Sequence, residues 1–375
     1  MDLTYNERQR MLKDTARGFF AAECPLATVR QLGRSELGYE PRLWKRMAEL
    51  GWLGLTLPST YRGGGGSFLD AYVIYEEMGR ALFPSPHLAT VVVAGETLLA
   101  AGSAEQKNSL LPGIAQGALT ISPAVLEPSN MYGPGGIQLE ARSARKGYTL
   151  QGTKLLVPYA NSASHFLVAA RTGGSSADGI TLFLVPGGTP GLSLSPLPNI
   201  AGEKLFEVSF RGVTAPRTAV VGAAGAGWAP LSAATDKAGV LVCGMIAGAC
   251  ERVLEMTTEY AQRRVQFGRP IGQFQAVQSM CADIAADTRL VALLARQAAW
   301  HLDEGVPGEL AVAAAKSFAS RAAQRVTRLA HDVHAGVGFM LEHDLPLYTS
   351  RAKHWELALG DPRYHHEQMA EALSL

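Results

Sequence analysis

The sequence predicts an α+β chain of three regions: a helical region over residues 1–120, a β-sandwich or barrel over 121–225 and a four-helix bundle over 226–375. Two changes of periodicity support this division. Apolar residues recur every three or four positions at both ends of the chain, whereas short β-type runs fill the middle. At 375 residues, two or three domains are the expected number.

Helices account for most of the first region. Asn6 is a good N-cap for a helix that continues to residue 21. Four consecutive glycines at 63–66 could cradle a phosphate, but they lack a preceding strand and a Lys-Ser/Thr pair, so we expect a turn there. Further helical patterns cover residues 42–50, 69–82, 88–101 and 104–116.

Short β-type runs define the second region. Residues 206–210 alternate strictly between apolar and polar side chains, which is typical of a half-buried strand. Similar runs at 165–171, 180–185 and 192–196 are separated by Gly, Pro and Ser, and residues 146–148 suit a hairpin turn. Several short strands punctuated in this way favour a sandwich or a barrel.

Two long helices begin the third region. Apolar residues follow 4-3-4-3-4 spacing from Val242 to Tyr260, and a similar stripe runs from Val277 to Ala298. A third helix over residues 307–334 and a C-terminal helix complete the pattern of a four-helix bundle.

Composition excludes several classes of function. With 34 Lys and Arg against 33 Asp and Glu, the formal charge of +1 lacks the basic excess of nucleic-acid-binding proteins. No uncharged apolar run approaches the roughly 18 residues of a membrane span. The four cysteines show no metal-ligand spacing, so we expect no metal site and a cytoplasmic location. Because only 18% of residues are charged, we expect part of the surface to be buried between subunits.

The segment 263–278 carries the most informative group of side chains. It leaves one long helix, turns at Gly268 and Pro270, and enters the next helix. One interpretation is a plain helix hairpin whose arginines complement the dipole of a helix C-terminus. The other is a dinucleotide site in which Arg264 meets a pyrophosphate and Gln275 meets the edge of a heterocycle.

This segment closely resembles the flavin-binding segment of the acyl-CoA dehydrogenase family. Motifs similar to those of the family also occur, in the same order, at residues 51–58, 76–81, 147–154 and 334–339. The resemblance implies FAD, bound between the middle domain and the helical bundle with part of the site supplied by a neighbouring subunit. It also implies oxidation of an acyl-CoA thioester to a 2,3-enoyl-CoA.

The resemblance further implies partners. Electrons would pass to an electron-transferring flavoprotein or a similar acceptor. The family commonly forms homodimers or homotetramers. The sequence resembles members of bacterial steroid side-chain and branched acyl-CoA degradation, several of which are heteromers of two related subunits, one of which supplies the catalytic glutamate.

Two groups of bundle residues carry the implied FAD contacts. The contacts across the subunit interface are Arg264, Gln266, Phe267 and Gln275. The contacts to the adenosine pyrophosphate region are Asp332, Val333 and Gly336. The family more often has Gln at position 332, and a salt-bridged surface residue is an equal alternative for the aspartate.

The middle region departs from the flavin loop of the family. The string 126–132 begins with leucine where the family has threonine, and 156–158 reads Leu-Val-Pro where the family has Trp-Ile-Thr or Trp-Ile-Ser. Pro158 therefore offers neither a hydroxyl nor an N–H to the flavin. The backbone groups of Leu126 and Val157 remain as expected contacts.

The catalytic glutamate of the family is missing at both positions where it is known. Leu359 stands at the C-terminal position and Ala238 at the alternative one, and neither side chain can accept a proton. Asp361 is the preferred replacement, with Glu356 as an alternative, although a solvated helix or turn carboxylate is the plainer interpretation of every candidate. Asp236 is the third carboxylate, and it also matches a residue that contacts CoA.

Three functions remain open at this point. The chain is an acyl-CoA dehydrogenase subunit, a non-catalytic flavin-binding or scaffold subunit, or a flavin enzyme whose reaction needs no α-proton base. The glycines at 239, 244 and 248 either leave room for a bulky acyl group or allow close packing of helices.

Overall fold

The computed structural model describes residues 3–129 and 131–375, so Asn130 of the string 126–132 lies outside the described residues. The chain forms two compact units. The helical unit contains residues up to Arg30, Ser67–Phe83 and Gly239–Leu375, and the sheet unit contains Gln31–Gly66 and Pro84–Ala238.

Eleven α-helices lie within the described ranges. They are α1 (Glu7–Glu23), α2 (Leu26–Arg34), α3 (Pro41–Glu49), α4 (Phe68–Arg80), α5 (Glu96–Ala101), α6 (Ala104–Ala115), α7 (Trp228–Arg263), α8 (Gln275–Asp303), α9 (Glu309–His334), α10 (Leu345–Leu357) and α11 (Pro362–Ala372). A buried π-helix, Leu88–Gly95, precedes α5.

The strands lie mainly between α6 and α7. They are β1 (Ile121–Ala124), β2 (Glu140–Ala144), β3 (Gly147–Pro158), β4 (His165–Arg171), β5 (Ile180–Pro186), β6 (Leu192–Pro196), β7 (Leu205–Pro216) and β8 (Val220–Val221), followed by the short pair β9 (Val265–Gln266) and β10 (Arg269–Pro270).

The helical unit begins as its sequence predicts. Asn6 accepts the Gln9 amide at 2.8 Å and Gln9 returns the bond to the Asn6 amide at 3.1 Å, which closes a capping box on α1. The C-terminal part of the unit contains two helices, α10 and α11, where a single one is predicted. Leu359 and Gly360 both adopt positive φ, 59° and 106°, and the turn that they form separates α10 from α11.

Buried carboxylates fasten the first helix to the rest of the helical unit. Glu76 on α4 accepts the Lys13 ammonium of α1 at 2.7 Å and the Arg296 guanidinium of α8 at 3.0 Å. Beside it, Glu77 accepts Arg17 of α1 at 2.9 Å. The motif at 76–81 therefore serves helix packing, because each buried charge has a partner.

The sheet unit is built on one eight-stranded sheet. Its order is β6-β7-β3-β2-β4-β5-β8, with β1 paired to β4 in parallel. The twelve-residue strands β3 and β7 pair antiparallel along their length, and the β2–β3 hairpin closes between Ala144 and Gly147, as predicted. Fully buried side chains including Phe166, Phe183 and Phe210 pack in the core of this sheet.

The four glycines at 63–66 form a turn. Their amides donate to carbonyl oxygens of Gly54, Leu55, Leu57 and Pro58 at 2.7–3.1 Å. Because these amides are already bonded within the loop, they do not form a phosphate cradle.

The α+β architecture predicted from the sequence is confirmed, with helical, β-rich and helical parts in chain order. The boundaries at 120 and 225 stay a prediction about separate domains. Over the ranges that the structure describes, no helix is both long and apolar enough to cross a membrane.

Candidate functional site

An exposed hairpin follows α7 in the helical unit. Phe267 and Gly268 connect β9 to β10 with φ of 53° and 80°, which is the geometry of a type I′ turn. Such a conformation is unusual for a bulky residue. The Phe267 side chain is 93% exposed, so the whole ring is available to a ligand or a second chain.

Polar groups surround this hairpin. The Arg264 backbone is held by Tyr260 and Ile271 at 2.8 Å each, while its guanidinium has no ion-pair or hydrogen-bond partner within residues 3–129 and 131–375. Among the described residues, the Gln266 side-chain amide donates to the Val265 carbonyl alone, at 2.7 Å. Gln275 is exposed at the start of α8, where Phe274 supplies no side-chain cap. The first amides of α8 are therefore open to an anion.

A ring stack joins the ends of α7 and α9. Tyr260 and His334 lie parallel with ring centroids 4.6 Å apart. His334 is buried and contacts the Ala330 carbonyl through Nδ1 at 2.8 Å, and burial lowers the pKa of its imidazole. This stack brings the segment after His334 close to the base of the Phe267 hairpin, a connection that the sequence did not indicate.

The second predicted group lies on that segment. Gly336 is exposed, and a Cβ built there meets no atom within 4 Å, so a ligand has room to approach. Val333 is buried, which leaves only its backbone for a ligand. Asp332 is half exposed and lies 3.7 Å from Arg328, one helical turn away. This contact matches the salt-bridge alternative for position 332.

The residues of the helical unit fit a dinucleotide. A guanidinium without a partner among the described residues, open helix amides, exposed amide side chains and an exposed aromatic ring that meets only the edge of Phe274 in the described residues are suited to phosphate and heterocycle recognition. His331 lines the same end of α9, stacked on Phe339 at 4.4 Å and bonded to Thr349 at 2.8 Å. Burial lowers the pKa of His331 as well.

The loop that begins at Leu126 in the sheet unit is anchored by a buried ion pair. Glu127 Oε1 accepts the Lys154 ammonium at 2.6 Å and the amides of Gln138 and Leu139 at 2.9 Å each. Lys154 is fully buried and also donates to the Val125 carbonyl at 2.9 Å. Burial lowers the pKa of Lys154 to about 8, against the opposing effect of Glu127. Sequence reasoning missed this pair, whose only signal is a lysine within a strand.

The expected backbone contacts of the sheet unit lie beside this anchor. The Leu126 carbonyl already accepts the Leu155 amide at 2.8 Å, so its free backbone group is the N–H. Val157 is buried and pairs with Phe206 on β7. Between them, Leu156 is 44% exposed with φ of 53° at a break in the strand register.

The start of α7 carries the alternative base position. Ala238 is fully buried, and Asp236 is half-buried on the preceding turn. The neighbouring Lys237 donates to the buried Glu96 at 2.6 Å, and Thr56 bonds the other oxygen of that carboxylate at 3.0 Å. No sequence argument identified Glu96, which lies directly after the π-helix.

Both other candidate carboxylates lie near the turn between α10 and α11. Asp361 is the N-cap of α11 and accepts the Tyr364 amide at 2.8 Å. Glu356 accepts the Lys353 ammonium at 2.6 Å. Each carboxylate therefore has a structural bond that a role as base would disturb, and the assignment of Asp361 stays a prediction.

The glycines of α7 divide into two kinds. A Cβ on Gly248 would lie 1.8 Å from the Glu76 carbonyl oxygen, and one on Gly244 would lie 3.0 Å from the Tyr72 ring. These two positions serve close helix packing. Gly239 has open space around its Cβ position, so only this glycine leaves room.

Among the described residues, no group of three or more His, Cys, Asp or Glu side chains is placed to hold a metal ion.

Models of three domains of one protein family match the chain. They are described as acyl-CoA dehydrogenase N-terminal, middle and C-terminal domains, and they match residues 6–118, 124–213 and 225–374.

Two relatives cover nearly the whole chain. The chain is 30% identical to acryloyl-CoA reductase (NADH) of Anaerotignum propionicum over 97% of this chain and 94% of that protein. It is 31% identical to acyl-CoA dehydrogenase FadE27 of Mycobacterium tuberculosis over 96% of this chain and 95% of that protein.

Two solved structures have a similar fold. A chain of the ChsE4–ChsE5 complex from Mycobacterium tuberculosis matches with a TM-score of 0.90 and 29% identity, covering 100% of this chain and 99% of that chain. A chain of an FAD complex of PigA matches with a TM-score of 0.93 and 25% identity, covering 100% of both chains.

Proposed function

The chain belongs to the acyl-CoA dehydrogenase family, and from this premise we propose that it is the FAD-binding subunit of an enzyme whose proton-abstracting carboxylate comes from a related partner chain. The family consists of flavin oxidoreductases that act on CH–CH groups. The proposed reaction is the α,β-desaturation of an acyl-CoA thioester, with electron-transferring flavoprotein or a similar protein as acceptor.

The alkyl side chains at the two base positions carry the proposal. Bound FAD supplies the hydride acceptor for the β-hydrogen. Removal of the α-proton needs a base within hydrogen-bond reach, and neither Leu359 nor Ala238 has one to offer. The structural bonds of Asp361 and Glu356 further favour a base from outside this chain.

The proposed role of this chain is to bind and orient the flavin. Arg264 supplies positive charge for a pyrophosphate, and Gln266 and Gln275 supply amide groups. Phe267 supplies a flat apolar surface. In the sheet unit, the Glu127–Lys154 pair holds the loop that begins at Leu126, so that backbone groups stay in place.

The heteromeric arrangement is supported by similarity. A chain of the ChsE4–ChsE5 complex has the same fold over the whole length of this chain. We propose that a related chain pairs with this one through the exposed hairpin at Phe267. Four unpaired thiols, at Cys24, Cys243, Cys250 and Cys281, support a cytoplasmic location.

The second candidate is a scaffold subunit that binds flavin without turnover. The same missing base favours it. The two functions differ in one measurement, the anaerobic bleaching of flavin absorbance by acyl-CoA thioesters of graded bulk. Bleaching only after addition of the co-purified partner supports the heteromeric enzyme. Retained flavin with no bleaching in the complex supports the scaffold, and loss of all flavin refutes both.

The flavin contact is tested separately. Arg264→Ala is expected to raise the dissociation constant of FAD by about tenfold or more, because a charge-assisted bond to phosphate is lost. Arg263→Ala is the matched control, since Arg263 is the exposed neighbour at the end of α7. Equal FAD retention in the two variants, at unchanged melting temperature, would exclude Arg264 as a ligand.

A further inference from the structure

A lysine is buried beneath the turn that joins α10 to α11. Lys316 lies on α9 and its side chain has no solvent exposure. The ammonium donates to the Gly360 carbonyl at 2.9 Å, to Ser320 Oγ at 3.1 Å and to the Glu356 carbonyl at 3.3 Å. Two of these three acceptors are backbone carbonyl oxygens. Gly360 lies in the connecting turn, and Glu356 lies in the last helical turn of α10.

This charge is buried without an ion-pair partner. No carboxylate oxygen of the described residues lies within salt-bridge distance of Lys316, and burial lowers the pKa of the ammonium to about 8. The ionisable groups that interact with it are Cys243 from α7, His354 and Glu356 from α10, and Asp361 and His365 from α11. Burying an unpaired charge is costly, so the lysine fits here only because three acceptors satisfy its ammonium.

Two carbonyls of the turn above Lys316 are held by buried side chains. The Leu359 carbonyl contacts Nε2 of the buried His365 at 3.2 Å, and the Gly360 carbonyl accepts from Lys316. Leu359 is held in the left-handed region, which is unfavourable for a leucine. A Cβ on Gly360 would lie 2.5 Å from the Tyr364 ring, so position 360 admits only glycine.

We propose that Lys316 is a positioning residue that fixes the turn at 359–361 and thereby the direction of the side chain at position 359. The ammonium binds two carbonyls that no helix satisfies, one at the end of α10 and one in the turn. The positioning role rests on this geometry. Only its consequence for catalysis rests on the proposed function, in which position 359 faces the reacting carbon.

Lys316→Met tests the positioning role by hydrogen exchange in the full-length chain. The peptide spanning residues 355–366 is expected to exchange roughly tenfold faster than in the control variant, the factor that one lost charge-assisted bond supports. Lys353→Met is the matched control, because Lys353 lies on α10 and pairs with the Glu356 carboxylate without contacting the turn carbonyls. If Lys316→Met does not fold, Lys316→Gln replaces it. Exchange within twofold of the control would overturn the proposal.

A second experiment measures the catalytic consequence. Leu359→Glu is introduced into the flavin-loaded chain, alone and together with Lys316→Met or Lys353→Met. Turnover of an acyl-CoA by Leu359→Glu is expected to lose at least about tenfold in kcat when Lys316→Met is added, with KM unchanged, because the carboxylate is no longer aimed. An equal kcat in both double variants would overturn the positioning role. No turnover by Leu359→Glu alone would count against the proposed function, and the exchange experiment would still decide the role of Lys316.

Discussion

Lys154→Met tests how much the charge of the buried Glu127–Lys154 pair contributes to the free energy of unfolding. Methionine retains the unbranched shape of the lysine and removes the ammonium. Glu127 then stays buried without its cation, although the amides of Gln138 and Leu139 still donate to the same oxygen at 2.9 Å. The Val125 carbonyl also loses its partner.

The magnitude follows from these contacts. Removing one partner of a buried ion pair costs about 3–5 kcal/mol in the free energy of unfolding, and the two remaining amides place this case near the lower value, at about 3 kcal/mol. Adding Glu127→Gln removes the isolated charge and keeps a carbonyl acceptor for both amides. We therefore expect the double variant to recover more than about 1 kcal/mol.

Urea unfolding measures the loss, and hydrogen exchange at Gln138 and Leu139 locates it. Lys146→Met is the control, because Lys146 is exposed in the β2–β3 turn and is expected to change stability by less than about 0.5 kcal/mol. A loss below about 1 kcal/mol in Lys154→Met would refute the reasoning. So would a double variant that is no more stable than the single one, since the buried charge would then not be the cause.

Three further predictions concern other parts of the chain. Asp361→Asn keeps a side-chain oxygen that can cap α11, so the melting temperature should not change. If Asp361 is the catalytic base, any turnover by the isolated chain should disappear in this variant. An unchanged kcat would eliminate that role. Burial lowers the pKa of His87 to about 4, so the unfolded state takes up a proton that the folded state does not, and the free energy of unfolding should fall as pH decreases from about 6.5 to about 4. Urea midpoints across this range should change less in His87→Gln, and an equal slope would contradict the assignment. Gly248→Ala should cost about 3 kcal/mol through its clash with a carbonyl oxygen, whereas Gly239→Ala should be neutral or slightly stabilising; similar melting temperatures for both variants would disprove this contrast.

Local chemistry explains why much of the fold is predictable. Asn6 caps α1 through an amide three residues away, and the alternation at 206–210 reflects the two faces of one strand. Both signals act over a few neighbouring residues, so a single sequence displays them. The separation of α10 from α11 was missed although Gly360 is a common helix stop and Asp361 with Pro362 a common helix start. Only the tertiary structure shows that His365 and a lysine from another helix hold the carbonyls of this turn.

The candidate site, like the fold, has features that the sequence predicts and features that only the tertiary structure shows. The sequence alone determined the helix–sheet–helix order, the family, and the side chains at Arg264, Phe267 and Leu359, because these are properties of residue type and spacing. Only the tertiary structure decided that Tyr260 stacks on His334, that Lys154 closes the loop begun by Glu127, and that Lys316 lies under the turn at Leu359. These contacts join residues 27 or more positions apart, where burial and the need to satisfy each buried polar group select the partner.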